Sequence, residues 1–401
     1  AGEPVSRGAG REINGVRGQV AGAARLQVAA DARIPDFHAP AVQVQGQVKG
    51  PVAESLAVVN TSPATGMLNG ALAKATGSGD AEVGPRLALP LADLARSQVR
   101  GSVALAGNDV QISPDSPLLT RARGEVQFSE KGFQLAGVQA RALGGEVRLE
   151  GGTRPGPARG PAIVQLRAQG TATAEGLRQA HELGFVSRLA RDFGGSTGYQ
   201  LALAFRRGIA EVQVTSNLQG MSIQLPAPLN KPAESVLPLR YETALTRESL
   251  AEGARLEEVL DVGLGRVAAV RYVRDVSRPD GAVLRGSIAV GLAPGEDVAL
   301  PDEGVTANVQ LDAFNVDAWQ EALSRVSGGA PARGVDLGFS TTLSAVRVQI
   351  VGMSGLQARP MRRGSAVGAH ALRRLRPSLG RVLPVLLPPV EGQIEKAVVV
   401  V

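Results

Sequence analysis

Phe193 to Pro232 reads FGGSTGYQLALAFRRGIAEVQVTSNLQGMSIQLPAPLNKP, and this stretch decides the fold class. Tyr199, Leu201, Leu203 and Phe205 fall on one face of an extended chain, with Gln200, Ala202 and Ala204 on the other, the period of two that marks a strand. Arg206-Arg207-Gly208 predicts a reversal. Ile209 starts a return strand whose apolar face is carried by Val212 and Val214, and the parity shift between them predicts a bulge near Ala210. The hairpin leaves through Leu225-Pro226-Ala227-Pro228-Leu229. No acid, base or nucleophile is arranged here for chemistry, so the stretch offers a surface.

The rest of the chain repeats this design. Its 401 residues include 50 Gly and 25 Pro, no Cys and 3% aromatics, with apolar positions mostly Val, Leu and Ala, a composition that favours many short strands joined by turns. The scarcity of aromatic rings argues against a binder of nucleic acid that stacks bases. The absence of Cys excludes disulfides, thiolate metal sites and a cysteine nucleophile. No run approaches the roughly 20 apolar residues of a membrane-spanning helix. The first residues carry neither an initiator Met nor a signal peptide, which predicts a section of a longer chain with any anchor upstream.

In order, residues 1–41 are poorly defined, with a strand at Arg25 to Ala29. Residues 42–170 read as a meander: Val42, Val44 and Val48 alternate with Gln43, Gln45 and Gln47, and further short strands are separated by turns such as Glu130-Lys131-Gly132. Residues 171–195 hold the one long helical pattern, with Leu177, Ala180, Leu183, Val186 and Ala190 at helical spacing. Residues 196–351 return to strands, with a short helix at 318–325 that Asn315 caps and Trp319 anchors. Beyond, in 352–401, alternation stops; Leu356 to Pro389 contains seven Arg and no acid. That segment admits three readings: a basic arm for phosphate headgroups or nucleic acid, a disordered tail, or sequence translated out of frame.

Catalytic constellations are missing. His38, His181 and His370 stand alone, Gly194 to Gly198 lacks the lysine and strand-to-helix setting of a phosphate cradle, and Glu257-Glu258 sits on an alternating strand where neighbours face opposite ways. Neither an enzyme nor a metal or other cofactor is expected. At least a dozen one-faced strands have only two short helices to cover them. The sheet must therefore pack on itself as a sandwich or barrel, or leave an apolar face for something other than water.

The ordered pieces Ser196-Thr197-Gly198-Tyr199, Val214-Thr215-Ser216-Asn217-Leu218-Gln219-Gly220 and Leu225 to Pro232 resemble the YhdP branch of the bacterial AsmA-like family. Asn60-Thr61-Ser62-Pro63, Leu89-Pro90-Leu91, the Leu143-Gly144-Gly145 turn and Phe314 to Trp319 continue the likeness over roughly Val42 to Val351. Its motif positions here are Tyr199, Ser216, Leu218, Gly220, Leu225, Pro226, Pro228, Lys231 and Pro232. An inserted Gly198 and Asn217 in place of a frequent acid are the departures.

The resemblance implies a mainly β protein: a long, twisted, curled antiparallel sheet forming an open apolar groove. It implies a periplasmic protein anchored to the inner membrane by an upstream segment, one that shields phospholipid acyl chains between inner and outer membranes. A structural or assembly scaffold that binds envelope proteins is the alternative. By apolar parity the candidate floor is Leu201, Leu203, Phe205, Val212, Val214, Leu239, Tyr241, Val309 and Leu311, each of which suits ordinary core equally well. Pro226 and Pro228 are expected outside any paired strand, at an edge.

Overall fold

The computed structural model describes residues 4–7, 10–20, 23–35, 41–61, 72–93, 96–154, 163–251, 253–277, 282–291, 299–311, 315, 318–319, 322, 346–353 and 398–400. The chain is mainly β and divides into two compact units, Ala1–Gly170 with Ala202–Ala210, and Thr171–Leu201 with Glu211–Val401.

In the first unit β1 (Pro4–Arg7), β2 (Gly10–Val20), β3 (Ala23–Ile34), β4 (Ala41–Pro51), β6 (Asp80–Pro90), β7 (Gln98–Gln111), β8 (Leu119–Ser129), β9 (Gly132–Ala142), β10 (Gly145–Arg154) and β11 (Ile163–Thr173) pair in that order. Every one of these pairings is antiparallel. The short β5 (Thr76–Ser78) pairs with the far end of β7. Register shifts interrupt β2–β3, β7–β8, β8–β9 and β9–β10; such bulges bend strands and raise their local twist. Asn108 marks one of them, buried, with its amide donating to Asp80 O at 2.9 Å and its Oδ1 accepting from Ala106 N at 3.0 Å. The strand expected at Arg25 to Ala29 is the middle of β3, so residues 1–41 hold more regular structure than their composition suggests. A helix over 52–60, α1 (Val52–Asn60), was not expected; Val52 at its start is buried against Gly77, whose missing side chain makes room.

The second unit opens with the segment expected as one helix at 171–195, and here the structure differs. The chain makes two short α-helices, α2 (Ala174–Gln179) and α3 (Phe185–Leu189), with 3₁₀ turns at His181–Leu183 and Ala190–Asp192. Gly184 lies between them at φ 53° and ψ −111°. Neither that conformation nor Ala180 at φ −79° and ψ 72° belongs to a helix, so a favourable 3.6-residue period is broken at two residues. Thr173 caps α2 through its Oγ1, which accepts from Gly176 N at 2.9 Å.

β12 (Phe193–Arg206) and β13 (Ile209–Ser216) flank Arg207 and Gly208, whose φ values of 49° and 77° are those of a two-residue hairpin turn. β13 then pairs with β15 (Leu239–Leu245), and β16 (Glu257–Leu264), β17 (Ala268–Asp275) and β18 (Ala282–Val290) follow antiparallel. β14 (Met221–Ile223) pairs with the start of β12.

From β18 the expected antiparallel order fails. β19 (Gly304–Leu311), β20 (Val346–Met353) and β21 (Val398–Val400) are added in parallel. Parallel neighbours are joined by crossovers with no local turn signal, so nothing in the sequence marked the change. Most of the arginine-rich segment, and most of the expected helix at 318–325, lie outside the described residues. Ala318, Trp319 and Ala322 are helical, and Asn315 Oδ1 accepts from Ala318 N at 3.0 Å.

Candidate functional site

Residues directly opposed across a ladder share a face of the sheet, so the register can be read as rows. In the first unit Val28 opposes Val48, Val48 opposes Val83, Val83 opposes Val103, Val103 opposes Val126, and Val126 opposes Leu135. These six apolar side chains from six strands form one row, and every one of them is only half-buried. A second row on the same face runs Ala32, Val44, Leu87 and Val99, and Ile13 extends it to β2, where it is exposed.

The opposite face carries Gln27, Lys49, Glu82 and Glu125, and beside them Gln45, Arg86, Arg100 and Ser129. One side of this sheet is therefore apolar and the other charged. Towards β11 the apolar side is better covered: Val164 and Phe205 are buried together, with Leu203, Phe133 and Leu166 packed against them.

In the second unit an equivalent row runs Val214, Tyr241, Val262, Val270, Ile288 and Ala307. Here Val214, Tyr241, Val262 and Val270 are half-buried, and Ile288 and Ala307 are buried. Ile288, Val305, Leu260, Tyr272, Leu225 and Trp319 belong to one buried cluster, and Tyr241, Leu239 and Val262 pack against it. Trp319 is 1% exposed, and its indole Nε1 donates to Ala227 O at 2.8 Å. The Leu225 to Leu229 segment is thus a plug over the sheet.

Its prolines do lie outside any ladder. The loop is closed by Ile223 and Lys231, which exchange backbone hydrogen bonds of 2.8 and 2.9 Å on either side of Pro226 and Pro228. Lys231 is 4% exposed; its Nζ donates to Met221 O at 2.8 Å and Pro232 O at 2.9 Å, and burial lowers its pKa.

The remaining motif residues brace the same region. Ser216 Oγ donates to Gly198 O at 2.7 Å and accepts from Leu218 N at 3.0 Å. A Cβ on Gly220 would stand 2.4 Å from Ser196 O, so only glycine fits. Tyr199 is half-buried, and desolvation raises its pKa. These residues position the chain.

The predicted floor residues are thereby sorted. Leu203 and Phe205 join the Val164 cluster of the first unit; Leu239, Tyr241 and the buried Leu311 join the closed cluster of the second. Leu201, Val212 and Val214 are half-buried outside both clusters. The Val309 side chain lies outside the described residues; its backbone opposes Val290. The half-covered row at Val28, Val48, Val83, Val103, Val126 and Leu135 was missed as a floor, although the alternation around Val42 to Val48 signalled it.

Elsewhere in the second unit, Glu258 and Arg274 form a buried ion pair, Glu258 Oε1 accepting from Arg274 Nη2. Burial raises the Glu258 pKa against the opposing pull of Arg274. Each group is held inside by the other, and Glu211 and Tyr241 lie close enough to feel their charges. Among the described residues no cluster of His, Asp or Glu is arranged to hold a metal, and no helix is long and apolar enough to cross a membrane.

A family model described as YhdP protein matches residues 12–354. No curated protein and no solved structure matches the chain. With the matched region spanning nearly all of the described strands, and with the motif residues found bracing one another, the chain belongs to the YhdP protein family, whose members are AsmA-like envelope proteins.

Proposed function

We propose that this chain is a periplasmic section of an envelope protein that shields phospholipid acyl chains from water on their way between inner and outer membranes. The observation that carries the reading is the half-buried row from Val28 to Leu135. Six strands at about 4.8 Å spacing give a row of about 24 Å. One leaflet of a bilayer core is about 15 Å thick, so the row can lay out a whole acyl chain. Each methylene covered contributes about 0.8 kcal/mol.

Val, Leu and Ala read no headgroup. Selection among lipids is therefore weak, headgroups stay in solvent, and no reaction is performed. The inner-membrane anchor is supplied by a segment upstream, and both membranes are reached through parts of the protein outside this chain.

The test is lipid extraction and mass spectrometry on the purified chain. Wild type retains phospholipid; Val48→Asp and Val103→Asp, which put a carboxylate into the row, retain about tenfold less while circular dichroism shows the β-sheet intact. Folded wild type with no lipid overturns the reading.

A second reading, a scaffold whose apolar faces are sealed and which binds envelope proteins, is favoured by the buried cluster of the second unit. It predicts a copurifying protein partner, with retained lipid unaffected by both aspartate substitutions.

A further inference from the structure

On the charged face of the first unit, two directly opposed pairs match opposite charges. Lys49 and Glu82 are directly opposed and lie 3.1 Å apart; Arg141 and Glu146 are opposed at 3.4 Å. In the second unit, Glu242 and Asp261 are opposed like charges, and each is matched by an arginine, Arg240 and Arg271. Opposed like charges destabilise a ladder unless compensated, and these are compensated.

Arg86 and Arg100 break the pattern. They are directly opposed, both exposed, and flanked in their row by neutral Gln45 and Ser129. Neither has an acidic partner among the described residues. Together they line a surface depression of about 580 Å³. Ser102, Gln127, Gln134 and Lys131 line it too, giving three cations against one carboxylate, Glu125. Gly84 leaves the space open, since a Cβ there would meet nothing within 4 Å.

We propose that Arg86 and Arg100 form an oxyanion site for a phosphate-bearing ligand. Two guanidinium forks side by side present donors that match phosphate oxygens in pairs, Lys131 adds charge, and the Ser102 hydroxyl and the Gln127 and Gln134 amides supply neutral donors. The ligand offsets the repulsion that the bare sheet leaves uncompensated. The two arginines lie on the face opposite the apolar row, so acyl-chain shielding does not require them, although Phe128 and Phe133 of the apolar side also border the depression. Its phosphate comes either from the headgroup of a lipid in a membrane surface or from a soluble phosphate compound.

The experiment uses the 401-residue chain. Thermal unfolding is followed in inorganic phosphate and in chloride at matched ionic strength, and flotation is measured with vesicles of phosphatidylcholine alone or with phosphatidylglycerol added. Phosphate raises the Tm of wild type by about 2 °C or more over chloride. Arg100→Glu places a carboxylate opposite Arg86, so its Tm in chloride equals or exceeds that of wild type while its phosphate response disappears. Gly84→Val keeps both arginines and fills the depression, and the concentration of phosphate needed rises about tenfold or more.

Flotation of wild type only with phosphatidylglycerol, abolished by Arg100→Glu, assigns the phosphate to a headgroup; a phosphate response without flotation assigns it to a soluble compound. No phosphate response and no flotation in wild type, a response that survives in Arg100→Glu, or a Gly84→Val response that needs no more phosphate than wild type overturns the proposal. Lipid retained on the apolar face is the same in Arg100→Glu as in wild type.

Discussion

The indole Nε1 of Trp319 donates a hydrogen bond to the carbonyl of Ala227, 92 residues earlier, at 2.8 Å. This bond fastens the Leu225 to Leu229 loop to the only tryptophan of the chain and seals the apolar face of the second unit. Trp319→Phe keeps most of the ring volume but leaves a carbonyl without its donor, at a cost of about 1–3 kcal/mol. Trp319→Ala opens a cavity and costs about 3–5 kcal/mol. Urea unfolding checks both, and similar losses for the two variants would show that the bond, not the packing, dominates.

Gly286 opposes Tyr272 on the neighbouring strand, and a Cβ at Gly286 would stand 2.1 Å from the Tyr272 ring. Tyr272 is fully buried and cannot swing aside. Gly286→Ala therefore destabilises the unit by about 1–3 kcal/mol through overpacking, despite the better strand propensity of alanine. A Gly286→Ala, Tyr272→Leu double variant regains part of the loss, because the clash requires both partners.

Lys231 holds two carbonyls of the loop, Met221 O and Pro232 O. Lys231→Met matches the length of the stem but leaves both acceptors without their donor, costing about 1–3 kcal/mol. Denaturant titration measures the loss. Lipid retained per folded molecule does not change, since the residue supports the closed unit.

Asp275 is held at a pKa of about 2, chiefly by the side-chain hydrogen bond from Arg255 and then by the backbone N–H of Ser277. A carboxyl whose folded pKa is depressed contributes stability that is present above its unfolded value of 3.8 and is lost as pH falls through about 2. Wild type should lose stability over that window. Asp275→Asn should be less stable at neutral pH and should show a smaller loss between pH 4 and 2 in acid titrations followed by circular dichroism.

What was legible in the sequence is what short-range physics specifies. Period-two alternation placed the strands around Val42 to Val48 and Tyr199 to Val214, and the Arg206-Arg207-Gly208 turn formed where a positive φ was needed. The order of motifs marked the family, because Ser216, Gly220 and Lys231 each meet a local backbone requirement. The 171–195 helix failed for a reason on the same scale: periodicity registers side chains, while the breaks at Ala180 and Gly184 are in the backbone.

Alternation alone established that most strands have one apolar face, for each side chain's sidedness depends only on its neighbours in the chain. Which of those faces is covered depended on the tertiary structure. Leu260, Ile288 and Leu311 carry the same pattern as Val48 and Val103, yet they are buried in one cluster with Trp319 and Leu225 while Val48 and Val103 are half-buried. The parallel addition of β19 and the meeting of Arg86 with Arg100 were likewise set by register between strands. Register is a long-range pairing choice, and no local pattern encodes it.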